Sequence, residues 1–286
     1  MTTDITVEQD AGLGIAIAKD VMVAMRDGVE LATDVYRPVG AEGPVPVVFQ
    51  RTPYDKEMAV AGAEVSRFVR AGYAYVAQDV RGRARSGGAF DPFVNEASDG
   101  EDAIAWLAEQ PWCDGQVAML GQSYVGATQW MAAGRTPAAL KAISPQITSA
   151  SYYEGWSYQG GALELGFLLA WTLGNLGLAE MGRRLGAGTA TPAEFGAIVG
   201  VNDRIEELYR RLPLTGLEEL RDVAPYFFDW LEHPTDDAFW KQTAPRERYD
   251  QVAVPSLNIG GWYDCFLGGT LANYRAIKEQ GGDDPA

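Results

Sequence analysis

Ser123 stands in Gly121-Gln122-Ser123-Tyr124-Val125-Gly126, directly after the apolar run Val117–Leu120 and ahead of a helical stretch reaching Gly134. A serine hydroxyl is a weak nucleophile, so acyl transfer needs it exposed, beside a base, and facing donors for an oxyanion. A tight strand-to-helix turn provides the exposure, and glycines beside it let strand and helix approach closely. The pattern departs from the usual G-x-S-x-G: Val125 holds the place of the second glycine and Gly126 follows one residue later. Ser123 is therefore either a nucleophile or a cap on the helix that begins there.

The acid of such a triad follows the serine in chain order, on a loop behind a later strand. Asp264 fits, in Gly260-Gly261-Trp262-Tyr263-Asp264 behind the run Val254–Ile259; a helix-capping aspartate is the other reading. The single histidine, His233, precedes Asp264 and lies in a helical region, so order and element both favour a packing or surface role for it. The oxyanion hole should pair the N–H of Tyr124 with a donor from the loop Gln50–Lys56. That loop lacks glycines to aim a backbone N–H, which makes the Tyr54 hydroxyl the candidate and ordinary loop packing the alternative.

These residues need a scaffold, and the apolar runs describe one. Val21–Arg26 and Glu30–Tyr36 read as a β-hairpin around Asp27-Gly28. Strands at Val45–Phe49, Tyr73–Ala77, Val117–Leu120 and Leu140–Ile143 then alternate with helices, one carrying Val65, Phe68 and Val69 and stopping at Gly72, another over about 96–110. Such alternation predicts an α/β fold, a mostly parallel sheet with helices on both faces. From Ser144-Pro145 to about Tyr249 the alternation stops in a helical, aromatic segment holding Trp156, Trp171, Trp230 and Trp240. Within it, Ala162–Met181 is apolar but broken by Glu164, Asn175 and Glu180, and reads as a buried helix pair rather than a membrane span. Alternation resumes with a strand at Val254–Ile259 and a helix carrying Leu271, Tyr274 and Ile277 on one side. The expected division is a core at 1–145, a helical insertion at 146–250, and the second part of the core at 251–286.

The 286 residues carry a formal charge of −16, with 47% hydrophobic and 22% charged residues, the balance of a globular domain rather than a disordered one. Strong acidity without a dense Lys/Arg run argues against a nucleic-acid partner. Cys113 and Cys265 lie far apart, and one histidine excludes His-rich metal sites. Met1–Thr6 lacks the basic start and apolar block of a signal peptide, so the expected location is cytoplasmic, with no membrane partner. No Walker or dinucleotide motif occurs and no cofactor is expected.

Taken together, Arg51-Thr-Pro-Tyr-Asp-Lys56, Asp79-Val-Arg-Gly82 with Ser86-Gly87, Trp112-Cys-Asp-Gly115, Gly121-Gln-Ser-Tyr-Val-Gly126 and Gly261-Trp-Tyr-Asp264 resemble the cocaine-esterase-like (CocE/NonD) hydrolases. These are relatives of Xaa-Pro dipeptidyl-peptidases, α-amino-acid ester hydrolases and glutaryl-cephalosporin acylases. The resemblance runs from about Val21 to the end, and in that family the nucleophile motif is G-x-S-Y-x-G. It implies an α/β-hydrolase fold with an inserted helical cap. It implies Ser123 as nucleophile, Asp264 as acid, Tyr54 hydroxyl with Tyr124 N–H as oxyanion hole, and Trp156, Trp171 and Phe266 lining an acyl pocket beneath the cap. Read from composition alone, those aromatics are cap core. The family's catalytic histidine and its C-terminal jelly roll lie beyond the point where residue 286 falls. The implied activity is cleavage of small ester or amide substrates through an acyl-enzyme. A dipeptidyl-peptidase, or a non-catalytic fragment lacking the triad histidine, is the alternative.

Overall fold

Strands covered on both faces read as nearly continuous apolar runs, and those runs mark the middle of this sheet. The computed structural model describes residues 7–10, 14–62 and 65–280. Strands β1 (Val7–Asp10), β2 (Ile15–Ala24), β3 (Glu30–Pro38), β4 (Val45–Thr52), β5 (Ala74–Asp79), β6 (Cys113–Gln122) and β7 (Leu140–Gln146) form one sheet in the order β1-β2-β3-β5-β4-β6-β7. β5, β4, β6 and β7 are parallel. β1, β2 and β3 form an antiparallel margin that joins β5. The hairpin between β2 and β3 turns where expected: Met25 N–H donates to Val29 O at 2.8 Å and Gly28 takes φ +83°, a region that side chains disfavour.

Period-two alternation sorts the central side chains between two cores. Val47, Phe49 and Val76 pack with Ile104 and Leu107 of helix α3 (Glu96–Ala108) and Trp130 and Ala133 of helix α4 (Tyr124–Ala133). On the other face Val48, Tyr75 and Ala77 pack with Val65 and Val69 of the helix Val65–Arg70.

Two expectations for the last segment need correction. Residues 254–259 do not make a regular strand; Ile143–Ser256 and Gln146–Ile259 are isolated parallel bridges beside β7, because Pro145 of β7 has no N–H for the rung between them and Pro255 has none for the rung before them. The helix Leu267–Gln280 buries Thr270, Asn273 and Ile277, while Leu271 and Tyr274 are exposed. The polar pair is tolerated inside because it is bonded: Thr270 donates to Thr148 O at 3.2 Å and Tyr249 donates to Asn273 Oδ1 at 2.5 Å.

Two compact units share the chain, one comprising residues up to Ala150 and from Thr243 onward, the other Ser151–Gln242. In the first unit Arg246 N–H donates to Ala150 O at 3.1 Å, so the chain leaves and returns through one point. The second unit is held by aromatic rings. Trp171 stacks on Trp230 (6.0 Å, 4°) and meets Trp156 edge-on at 5.2 Å, and Trp240 packs against Tyr153 and Tyr158. Residues 165–186 are one helical run with a π-helical middle, Ala170–Gly177, rather than the expected pair. Gly174 and Gly177 in that middle serve close approach instead of termination: a Cβ would meet Asn202 Oδ1 at 3.1 Å from the first and Val223 Cγ2 at 3.2 Å from the second. Among the described residues no helix is long and apolar enough to cross a membrane.

Candidate active site

Ser123 is the single residue between β6 and α4, and it takes φ +57°, ψ −124°. A non-glycine residue there costs about 1–3 kcal/mol and persists only when its surroundings dictate it. They do so through hydrogen bonds. Ser123 N–H donates to Gln146 O at the end of β7 (2.9 Å), and its carbonyl accepts from Gly126 N–H (2.9 Å) and Ala127 N–H (3.0 Å), starting the helix. The glycines make the turn possible. A Cβ on Gly121 (φ +139°) would lie 2.3 Å from Val125 Cγ1, and one on Gly126 would lie 2.9 Å from Thr148 Cβ. Close approach therefore needs glycine at 121 and 126, and Val125 faces Gly121 where a second glycine would have been expected.

Ser123 lines a cavity of about 450 Å³ together with Tyr54, Gln50, Tyr75, Gln122 and Gln146. Tyr54 follows β4 on a tightly held loop. Tyr54 N–H donates to Thr52 Oγ1 (3.1 Å), Val80 N–H donates to Thr52 O (3.0 Å), and Lys56 N–H donates to Asp79 Oδ1 (2.7 Å). The Tyr54 ring meets Tyr124 edge-on at 6.5 Å. Tyr124 is wholly buried, and its N–H opens α4, a position with no acceptor inside the helix. Tyr54, Ser123 and Tyr124 are thus brought together at the carboxyl ends of β4 and β6.

Asp264 follows the bridged segment on the far side of β7, so it and Ser123 both lie at the carboxyl end of the parallel strands. Two strand spacings separate the segments bearing them, roughly 10 Å. Its main chain forms a turn, with Asp264 N–H donating to Gly261 O (3.1 Å) and Leu267 N–H to Asp264 O (3.2 Å). Asp264 Oδ2 is buried with no hydrogen-bond partner among the described residues. Phe266, two residues on, is buried in the first unit; Trp156 and Trp171 are buried in the ring cluster of the second. His233, also in the second unit, has Nδ1 2.7 Å from Asp237 Oδ2 and stacks on Phe239 at 4.2 Å.

Sequence reading missed the buried charges behind the loop and turn. Lys56 Nζ lies 2.7 Å from Asp20 Oδ1, 3.2 Å from Asp34 Oδ1 and 3.9 Å from Asp79 Oδ2. Burial works against the Lys56 charge, yet these carboxylates hold its pKa above the usual lysine value. Burial pushes the Asp79 carboxyl up to about 7, outweighing the Lys56 N–H bond and charge. Arg51 and Glu96 are likewise buried, in ion-pair contact at 2.8 Å, and burial raises the Glu96 pKa against the pull of Arg51 and Tyr124. The available signal was a charged residue closing each of two apolar strands, Arg51 after Val47–Phe49 and Asp79 after Ala74–Ala77. Among the described residues no group of His, Cys, Asp or Glu could hold a metal ion.

Residues 27–284 match the X-Pro dipeptidyl-peptidase (S15) family. The chain belongs to that family. It is 40% identical over 270 residues to a cocaine esterase of Rhodococcus sp. (strain MB1 Bresler), covering 92% of this chain and 47% of that protein. In structure it is similar to an α-amino acid ester hydrolase (TM-score 0.69, 26% identity, 98% of this chain and 48% of the other). It is also similar to a CocE/NonD family hydrolase from Staphylococcus aureus (TM-score 0.69, 23% identity, 94% and 45%), a likeness of fold. The fold is that of the α/β-hydrolases, as the motifs implied. The chain spans about half the length of the cocaine esterase it matches.

Proposed function

We propose that this S15-family chain carries the acyl-transfer site of a serine hydrolase acting on small esters or amides. Ser123 Oγ attacks the substrate carbonyl, and the negative charge on its oxygen is met by Tyr124 N–H and the Tyr54 hydroxyl. An imidazole accepts the serine proton and passes it to the leaving alcohol or amine, while Asp264 fixes that imidazole's tautomer. Water then cleaves the acyl-enzyme by the reverse sequence of proton transfers. The observation that carries this reading is the strained Ser123 turn opening on the cavity that Tyr54 also lines. The partnerless buried oxygen of Asp264 supports it, because such an oxygen is costly unless something donates to it. His233 is not the imidazole of this scheme, since Asp237 is already its carboxylate partner.

We also read Ser151–Gln242 as the helical cap and Trp156, Trp171 and Phe266 as acyl-group contacts, on the resemblance alone. A cytoplasmic location is proposed from the sparse cysteines, neither of which is in a disulfide.

No histidine follows Asp264 in the 286 residues, so imidazole in the buffer supplies the proton acceptor for the test. A fluorophosphonate should then label the chain at Ser123 and leave Ser123→Ala unlabelled. No labelling, or labelling that survives Ser123→Ala, overturns the proposal in favour of a non-catalytic ligand-binding unit. The family description favours a second reading, an Xaa-Pro dipeptidyl-peptidase. Parallel assays on a p-nitrophenyl ester and an Xaa-Pro p-nitroanilide, each corrected for the Ser123→Ala rate, separate the two: Ser123-dependent turnover of the ester with none of the anilide supports the first, and Ser123-dependent turnover of the anilide supports the second.

A further inference from the structure

The two oxyanion donors proposed above sit on different chain segments, and one buried cluster ties those segments together. Arg51, fully buried near the end of β4, precedes Tyr54 by a short loop. Its Nε donates to Gln78 Oε1 at 2.9 Å, and its Nη1 donates to Glu96 O at 3.0 Å and lies 2.8 Å from Glu96 Oε2. Its Nη2 is 3.9 Å from Asp99 Oδ2. Glu96 Oε1 in turn accepts the Tyr124 hydroxyl at 2.8 Å, and that hydroxyl accepts Phe93 N–H at 2.9 Å. Tyr124 is the residue directly after Ser123.

A buried ion pair is weak evidence for stability, since apolar residues of similar volume often do as well. The phenol oxygen adds a buried polar group that must itself be satisfied, whereas phenylalanine would fill the same space without one. What these groups supply is direction. Each hydrogen bond fixes an angle, and an ion pair shared by two segments fixes their separation.

We propose that Arg51 and Glu96 are positioning residues for the oxyanion hole, holding Tyr124 by its hydroxyl so that its backbone N–H and the Tyr54 hydroxyl keep a common focus at Ser123. Tyr124 thus works at both ends: the peptide N–H faces the reacting carbonyl and the side chain anchors that N–H. This rests on the serine-hydrolase reading.

The test measures fluorophosphonate labelling of Ser123 against probe concentration, in imidazole buffer, giving a limiting rate and a half-saturating concentration. Tyr124→Phe keeps the backbone donor and removes the anchor. Misplacing a reacting group by about 1 Å costs on the order of a hundredfold, and losing an oxyanion donor costs a similar factor. A partly displaced donor should therefore slow the limiting rate about tenfold or more while half-saturation stays within about twofold. Glu96→Gln keeps an acceptor for the hydroxyl but removes the charge that Arg51 grips, and should fall between Tyr124→Phe and wild type. Tyr158→Phe, which removes a comparable buried hydroxyl bonded to Trp230 O at 2.9 Å in the second unit, should label at the wild-type rate. A wild-type limiting rate in Tyr124→Phe overturns the inference and leaves the hydrolase reading intact. So does a shift in half-saturation alone. If Tyr124→Phe fails to give a cooperative thermal melt, Glu96→Gln decides: a folded variant with the wild-type limiting rate overturns it. Absence of labelling in the wild type removes the hydrolase reading itself.

Discussion

The two units of the chain are held together by different physics. Every fully buried ionic side chain among the described residues lies in the first unit: Asp34, Arg51, Lys56, Asp79, Arg83, Glu96 and Asp99. The second unit buries Ser151, Ser157 and Thr172 as its polar side chains and otherwise packs tryptophan, tyrosine, phenylalanine and leucine. Ring packing is worth a great deal of area but tolerates several offsets and tilts. Charge-assisted hydrogen bonds are short and angular, and they are costly to leave half-made. The unit with the strained serine is therefore the one built from angle-fixing contacts, whereas the ring-packed unit fixes volume.

The contrast can be broken by substitution. Arg51→Met strips Glu96 of its cation, while Asp99 keeps Arg81 at 2.7 Å, and urea unfolding should show a loss of about 3–5 kcal/mol together with slower Ser123 labelling. Trp240→Ala in the second unit should cost a similar amount, about 3–5 kcal/mol, yet leave the labelling rate unchanged. Equal effects of the two on that rate would erase the distinction drawn here. Gly121→Ala drives a Cβ into Val125 at an unfavourable φ and should cost about 3 kcal/mol by urea unfolding.

Asp79 sharpens the comparison through pH. Unfolded, its carboxyl ionises near 3.9, and folded, near 7. Between these values the folded chain keeps a proton that the unfolded chain has lost, so this group's effect on stability worsens as pH rises and levels off above about 7. The stability of wild type minus that of Asp79→Asn, followed by urea unfolding, should fall by about 1 kcal/mol per pH unit across that window. The smallest effect belongs to the exposed helix Pro192–Asp203 of the second unit, where Thr191 and Glu194 form a capping box. Thr191→Ala should cost about 1 kcal/mol by thermal melt and nothing in labelling.

What the sequence made legible follows from how locally each feature is encoded. The Ser123 turn could be read because Gly121 is required by a contact with Val125 four residues on, although the contact of Gly126 with Thr148 is not local, and Asp264 could be proposed as the acid from chain order alone. The Arg51–Glu96–Tyr124 cluster could not, because it joins a strand end, a helix start and a turn that meet only in the folded chain. Charged residues at such ends usually face water. The face of the helix Leu267–Gln280 was misread for a related reason. Apolar spacing selects Leu271 and Tyr274, and it cannot register that Thr270 and Asn273 are bonded inside. The π-helical middle of residues 165–186 was hidden because glycine signals a break more often than a close contact.

The hydrogen bond between Arg246 N–H and Ala150 O closes the neck through which the intervening polypeptide is strung. Joining two ends that already touch costs little more for a long loop than for a short one, about 0.6 kcal/mol for each doubling of length. Whatever is threaded between those two positions can be lengthened, trimmed or exchanged as a cassette while the strands and the serine turn keep their own register. The neck makes this scaffold a socket into which other modules can be grafted without redrawing its sheet.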